Sequence, residues 1–138
     1  MFKGIGVVPN WQKENMQEVI TQIKTFFGKY NIPVYVVPGK DPLLHLASPI
    51  KEIQEWPQKT DLVIVLGGDG TFLRVARELA YTDLPMLGIN LGHKGFLAEI
   101  EVEKLSFSLQ QLIDGNYQLE ERMMLQTEIM RAEKTFAS

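Results

Sequence analysis

The sequence predicts an α/β fold, an open and mostly parallel sheet with helices on both faces, and three observations predict it. Strand-like and helix-like apolar patterns alternate from the amino terminus to Gly115, as they do where helical crossovers join parallel strands. The run Leu62-Val63-Ile64-Val65-Leu66 is apolar without a break, which suits a strand covered on both faces, since a wetted face would demand alternation. Glycines gather directly after two strand patterns, at Gly67 to Gly70 and between Asn90 and Gly95, at the carboxyl ends where open parallel sheets bind ligands.

Taken in order, Lys3 to Val8 reads as a short strand closed by Pro9 and Asn10. Met16, Val19, Ile20, Ile23, Phe26 and Phe27 then fall at helical spacing. Asn31 and Pro33 end that helix, and the β-branched run Val34 to Val37 gives a second strand stopped by Pro38 and Gly39. Lys40 to Lys59, with prolines at 42, 49 and 57, reads as irregular with short helical turns. Asp61 to Leu66 is the expected central strand. After its glycine turn, Phe72, Leu73, Val75, Ala76, Leu79 and Ala80 resume helical spacing. Pro85 to Ile89 reads as a strand, Phe96 to Ile100 as another short one, and Leu105, Leu109, Leu112 and Ile113 as a helix ended by Asp114, Gly115 and Asn116.

The character then changes. Leu119, Glu121, Met123, Leu125, Thr127 and Ile129 form one side of a period-two pattern, which predicts a half-exposed strand with Arg131 to Ser138 trailing from it. The expected division is residues 1–116 as an α/β domain and 117–138 as a linker and first strand of a truncated, β-rich second domain.

Composition narrows the function. The 138 residues carry a formal net charge of -3, with 45% hydrophobic and 22% charged residues, close to an ordinary globular domain with its own core. No cysteine is present, so disulfides and thiolate chemistry are excluded and a reducing cytoplasm is expected. The amino terminus lacks a secretory signal pattern, and no apolar stretch approaches the roughly 18 residues of a membrane span. Lysine and arginine are scattered and outnumbered by acids, so no basic face for nucleic acid is visible. His45 and His93 have no partner at metal-ligand spacing, and no protein metal site is expected. Phe26, Phe27, Phe107 and Met123, Met124 and Met130 read as core or subunit-interface residues, and the charges of Glu99 to Lys104 as a solvated loop.

The chemistry centres on Gly67-Gly68-Asp69-Gly70-Thr71. Glycines let backbone amides approach a phosphate, and the helix that follows adds free N–H groups and partial positive charge. Asp69 would repel phosphate unless it binds metal, accepts a hydroxyl proton or holds ribose hydroxyls, which points to phosphoryl transfer. The plainer alternative makes the glycines a tight turn with Asp69 capping a helix that begins near Thr71. For GGDG alone the two readings weigh about evenly. Arg74, one turn beyond Gly70, reads from spacing as a solvated arginine. The second loop, with Asn90, Gly92 and Gly95, either frames the same crevice or simply connects two elements. Neither the P-loop nor the GxGxxG spacing occurs.

The stretch Leu66-Gly67-Gly68-Asp69-Gly70-Thr71-Phe72-Leu73-Arg74, followed by Gly88-Ile89-Asn90-Leu91-Gly92, by Gly95-Phe96-Leu97-Ala98-Glu99-Ile100 and by Glu121-Arg122-Met123-Met124-Leu125, resembles bacterial NAD kinases. GGDG with Thr alone would fit diacylglycerol, sphingosine and sugar kinases of the same superfamily almost as well. The resemblance implies transfer of a phosphoryl group from ATP or polyphosphate to the adenosine ribose 2'-hydroxyl of NAD, with Mg2+ or another divalent ion. It implies Asp69 as general base, Asp69, Gly70 and Arg74 as NAD contacts, and a homo-oligomer in the full-length protein. It also implies a second domain bearing an Asn-Glu or Asn-Asp pair and a Thr-Gly-Ser-Thr stretch, neither of which occurs here, so the chain alone is expected to be weak or inactive. A nucleotide-binding module without turnover is the alternative of another class.

Overall fold

Strand β1 (Ile5–Pro9) is buried along its whole length and pairs in parallel with β2 (Val34–Val36) on one side and β3 (Leu62–Gly67) on the other. Strand β4 (Met86–Asn90) pairs in parallel with β3, and the short β5 (Ile100–Glu101) with β4. The order is thus β2-β1-β3-β4-β5, with β3 at the centre as its unbroken apolar run requires. The computed structural model describes residues 2–37, 56–91 and 100–118, and the backbone of strands at 128–131 and 134–137.

Alternation along the strands divides the core into two layers. Ile5, Val7, Leu62, Ile64 and Leu66 face helix α1 (Met16–Gly28) and helix α3 (Leu105–Ile113). Val8, Val63 and Val65 face the other way, against Val75 of helix α2 (Asp69–Glu78), Leu79 at its C-cap, and Trp56. Helices therefore cover both faces. All six apolar residues that the spacing assigns to α1 are buried. Asn31, at φ 57, takes the left-handed conformation that turns the chain from α1 toward β2. Helix α3 ends in a Schellman arrangement: Gly115 has φ 76, its amide donates to Leu112 O at 3.2 Å, and the Asn116 amide donates to Gln111 O at 2.9 Å.

Two apolar residues of the helical patterns are exposed. Leu73 is 51% exposed and Phe107 67% exposed. Each sits two positions, roughly 200° around a helix, from residues that face the sheet: Leu73 from Val75, and Phe107 from Leu105 and Leu109. Within the segment read as irregular, residues 56–59 form a helical turn whose Trp56 is 3% exposed. The Thr60 hydroxyl and amide both donate to Trp56 O, at 2.9 and 2.7 Å, and close that turn. Glu101 lies in β5 and Val102–Lys104 form a 3-10 turn, not a loop. Most of the strand expected at 96–100 lies outside the described residues, as does the segment 119–127.

The carboxyl-terminal expectation needs correction as well. Glu128–Arg131 (β6) pairs in antiparallel fashion with Lys134–Ala137 (β7). The residues expected to trail from an unpartnered strand instead return along it as a hairpin, a sheet separate from the parallel one.

β1 shows how a proline is tolerated inside a sheet. Ile5 donates to Pro33 O and Val37 donates to Val7 O, so two residues further on the ladder calls for a donor from residue 9 to Val37 O. Pro9 has no N–H. The Trp11 indole Nε1 donates to Val37 O instead, at 3.0 Å, and ties the loop after β1 to the end of β2.

The sheet also needs a small residue at Gly6, where a Cβ would stand 2.5 Å from the Trp56 ring. Gly6→Ala is expected to lower unfolding free energy by about 1–3 kcal/mol, the usual cost of overpacking. A urea midpoint equal to wild type would mean that Trp56 does not seat against β1.

Candidate functional site

In this strand order the chain leaves β1 toward β2 on one side and leaves β3 toward β4 on the other. The two connections diverge, so the carboxyl ends of β1 and β3 open a crevice at a topological switch point, where α/β sheets bind ligands. Its walls are the loop that starts at Asn10 and the turn Gly67 to Gly70.

The turn is sharp. Gly67 is the last residue of β3, Gly68 is extended at φ -129 and ψ -164, and Asp69 is already the first residue of α2. Asp69 is therefore inside the helix and Gly68 holds the cap position, one correction to a cap at Asp69 and a helix start near Thr71. No side chain caps this helix. A carboxylate in a first turn gains about 0.3–1 kcal/mol from the helix dipole, so Asp69 has a modest structural benefit whatever else it does.

The glycines are not equivalent. A Cβ on Gly67 would meet Thr71 Oγ1 at 2.9 Å and Asn10 Cβ at 3.3 Å, so here a glycine is required by close packing. At Gly68 and Gly70 a Cβ would meet nothing within 4 Å among the described residues, and neither has positive φ. A tight turn does not need glycine at those two positions. At Gly70, inside the helix, glycine costs about 0.5–1 kcal/mol relative to alanine, and what the two glycines leave is open space beside backbone amides. That is the arrangement a phosphate uses at a helix start.

The neighbouring strand closes the other flank. Asn90 is the last residue of β4, 6% exposed and in register with Gly67, and the Leu91 amide donates to Gly67 O at 3.2 Å. The start of the second loop is thus held against the end of β3. Gly92 and Gly95 lie outside the described residues. Arg74 is exposed, one turn beyond Gly70 along α2, with Glu78 one turn further. Burial pushes the Glu78 carboxyl above its ordinary value of 4.5, against the guanidinium groups of Arg74 and Arg77, which pull it down.

A cleft of about 420 Å3 lies elsewhere, among Phe2, Asp61, Met86, Leu112 and Tyr117. It sits at the amino ends of β3 and β4, the far end of the sheet from the glycine turn. Concavity alone would select it, but its walls are mainly apolar and carry no glycine loop. Among the described residues no three acidic, histidine or cysteine side chains gather as a metal cage. No helix among them is long and apolar enough to cross a membrane.

A parallel sheet whose switch point carries a glycine-and-carboxylate helix start defines an α/β domain with a candidate phosphate site. Residues 7–117 match the family described as the ATP-NAD kinase N-terminal domain, and the chain belongs to that family. It is 39% identical over 133 residues to an NAD kinase of Natranaerobius thermophilus, covering 96% of this chain and 46% of that protein. It is 40% identical over 131 residues to an NAD kinase of Moorella thermoacetica, covering 94% and 42%. The chain spans a little under half the length of these curated relatives. Among solved structures, yeast NADH kinase complexed with NADH superimposes with a TM-score of 0.73 at 20% identity, over 99% of this chain and 46% of that one. That likeness supports the fold.

Two outcomes follow from the geometry. Gly70→Ala is expected to raise unfolding free energy by about 0.5–1 kcal/mol while weakening nucleotide binding by calorimetry at least tenfold. A loss of both would show that Gly70 serves packing. For Glu78, a raised folded pKa means that the folded state holds its proton longer, so its contribution to stability falls as pH rises from 4.5 through the folded value. The melting temperature of Glu78→Gln, relative to wild type, is therefore expected to rise between pH 4 and 7. A falling difference would make the arginine pairing dominant.

Proposed function

We propose that the protein carrying this chain phosphorylates the adenosine ribose 2'-hydroxyl of NAD, with ATP or polyphosphate as donor, and so makes NADP. The observation that supports it most is the uncrowded Gly68-Asp69-Gly70 start of α2 at the switch point, in a chain of the ATP-NAD kinase N-terminal family.

Asp69 is the general base in this reading. Its carboxylate accepts the proton of the 2'-hydroxyl as that oxygen forms its bond to the terminal phosphorus of the donor, and the bond to the leaving phosphate oxygen breaks. Phosphoryl transfer asks mainly for alignment and charge stabilisation. Gly67, Gly68, Gly70 and Thr71 supply the phosphate cradle, where the amides that begin α2 face developing negative charge without having to reorganise. Arg74 reaches NAD from the next turn, and Asn90, in register with Gly67, flanks the cradle on the β4 side.

Mg2+ or another divalent ion fits this donor set. A single carboxylate beside an open phosphate cradle suits an ion held largely by phosphates and water, not by a protein cage. When bound, the ion neutralises phosphate charge. NAD, ATP, a homo-oligomeric full-length protein and a cytoplasmic site of action complete the reading. In it, the 138 residues form one wall of the site and are weak or inactive alone.

Asp69→Asn tests the central role, in the full-length protein of the reading frame that contains this chain. NADP formation, followed by enzymatic cycling, is expected to fall by at least 100-fold with an unchanged melting temperature. Wild-type turnover in the variant would contradict it.

A further inference from the structure

We infer that Asn10 is a phosphate-binding residue of the crevice, its side-chain Nδ2 donating to a phosphate oxygen of the bound substrates. This rests on the proposed phosphoryl transfer and assigns a residue to the wall of the site opposite α2.

Asn10 stands at the carboxyl end of β1, on the other side of the switch point from the glycine turn. Its Cβ and Thr71 Oγ1 both approach the same point beside Gly67, the position a Cβ there would take, within 3.3 Å and 2.9 Å respectively. The residue that follows β1 and the first turn of α2 thus converge on one glycine. A ligand phosphate seated at the start of α2 lies within reach of a short side chain on that wall.

The backbone around Asn10 is held firmly. Its amide donates to Leu66 O at 2.9 Å, its carbonyl accepts from the Lys13 amide at 3.0 Å, and the adjoining Trp11 is tied to Val37 O. The side chain is oriented too, because Oδ1 accepts from the Gln12 amide at 3.1 Å, an Asx turn. With Oδ1 engaged, the group left to offer a ligand is Nδ2 with its two N–H donors. A neutral donor suits a crevice that must take a polyanion. The switch-point location is the independent reason to expect a ligand here.

Asparagine and aspartate separate the two roles. Asn10→Asp keeps an Oδ1 acceptor for the Gln12 amide, and so the turn, but replaces the N–H donors with negative charge. Asn10→Ala removes both. In the full-length protein, Asn10→Asp is expected to raise the KM for one substrate by tenfold or more, with an unchanged melting temperature and with an effect at least as large as that of Asn10→Ala. A rise confined to ATP assigns the contact to the donor phosphates, and one confined to NAD assigns it to the dinucleotide pyrophosphate. Wild-type KM values for both substrates in Asn10→Asp, with Asn10→Ala impaired, would reduce Asn10 to a turn former and overturn the inference.

Asn10→Ser, which keeps a short acceptor and one donor, serves if the aspartate variant does not fold, and an unchanged KM there would also overturn it. Calorimetric titration with ATP and with NAD keeps the two proposals apart. If wild type makes no NADP, the reaction assigned above fails, whereas equal affinities in wild type and Asn10→Asp would sink the Asn10 contact by itself.

Discussion

Burial of β3 on both faces is the constraint from which the rest of the structure follows. Leu62, Ile64 and Leu66 pack against α1 and α3 while Val63 and Val65 pack against α2 and Trp56, so β3 must lie inside the sheet, with β1 and β4 on either side. A strand covered above and below can present polar chemistry only at its ends. At its carboxyl end the chain must turn at once into α2 to cover the face it has just left, and Gly67 permits that turn where Asn10 and Thr71 crowd it. The site is therefore a consequence of packing: the strand that most needs cover delivers a helix start to the switch point.

The same geometry separates the duties of the glycines. Gly6 and Gly67 lie against neighbours that a methyl group would strike, whereas Gly68 and Gly70 have room to spare. The first pair is explained by the fold. Gly70 weakens the helix it opens and, like Gly68 at the cap, gains nothing from packing among the described residues, which is the expected pattern where local stability is given up for access to backbone amides.

Much of this was legible in the residues. The continuous run of β3, the helical spacing of α1 and the glycine stop of α3 each follow from a local rule, and each holds. Leu73 shows that an apolar helical spacing can run wider than the buried stripe of its helix, and the exposure of Phe107 favours the subunit-interface reading of that residue over the core one. Trp56 carried no core signal of its own, since the prolines at 42, 49 and 57 mark its whole segment as irregular with short helical turns. Asn10 carried only the signal of a turn residue after a strand, since its place opposite Thr71 depends on pairing between β1 and β3, 50 or more residues apart in sequence. The hairpin of β6 and β7 was hidden for a related reason: a short polar return strand has no alternation strong enough to distinguish it from a trailing end.

The central claim is that this glycine turn positions a ribose hydroxyl for phosphoryl transfer. Phosphorus NMR of the products made by the wild-type full-length protein from NAD, ATP and Mg2+ tests it most directly. The account predicts a new monoester resonance on the 2'-position of the adenosine ribose, with ADP formed in equal amount. ATP consumed without that resonance, or phosphate carried instead to a diacylglycerol offered in the same tube, would contradict it.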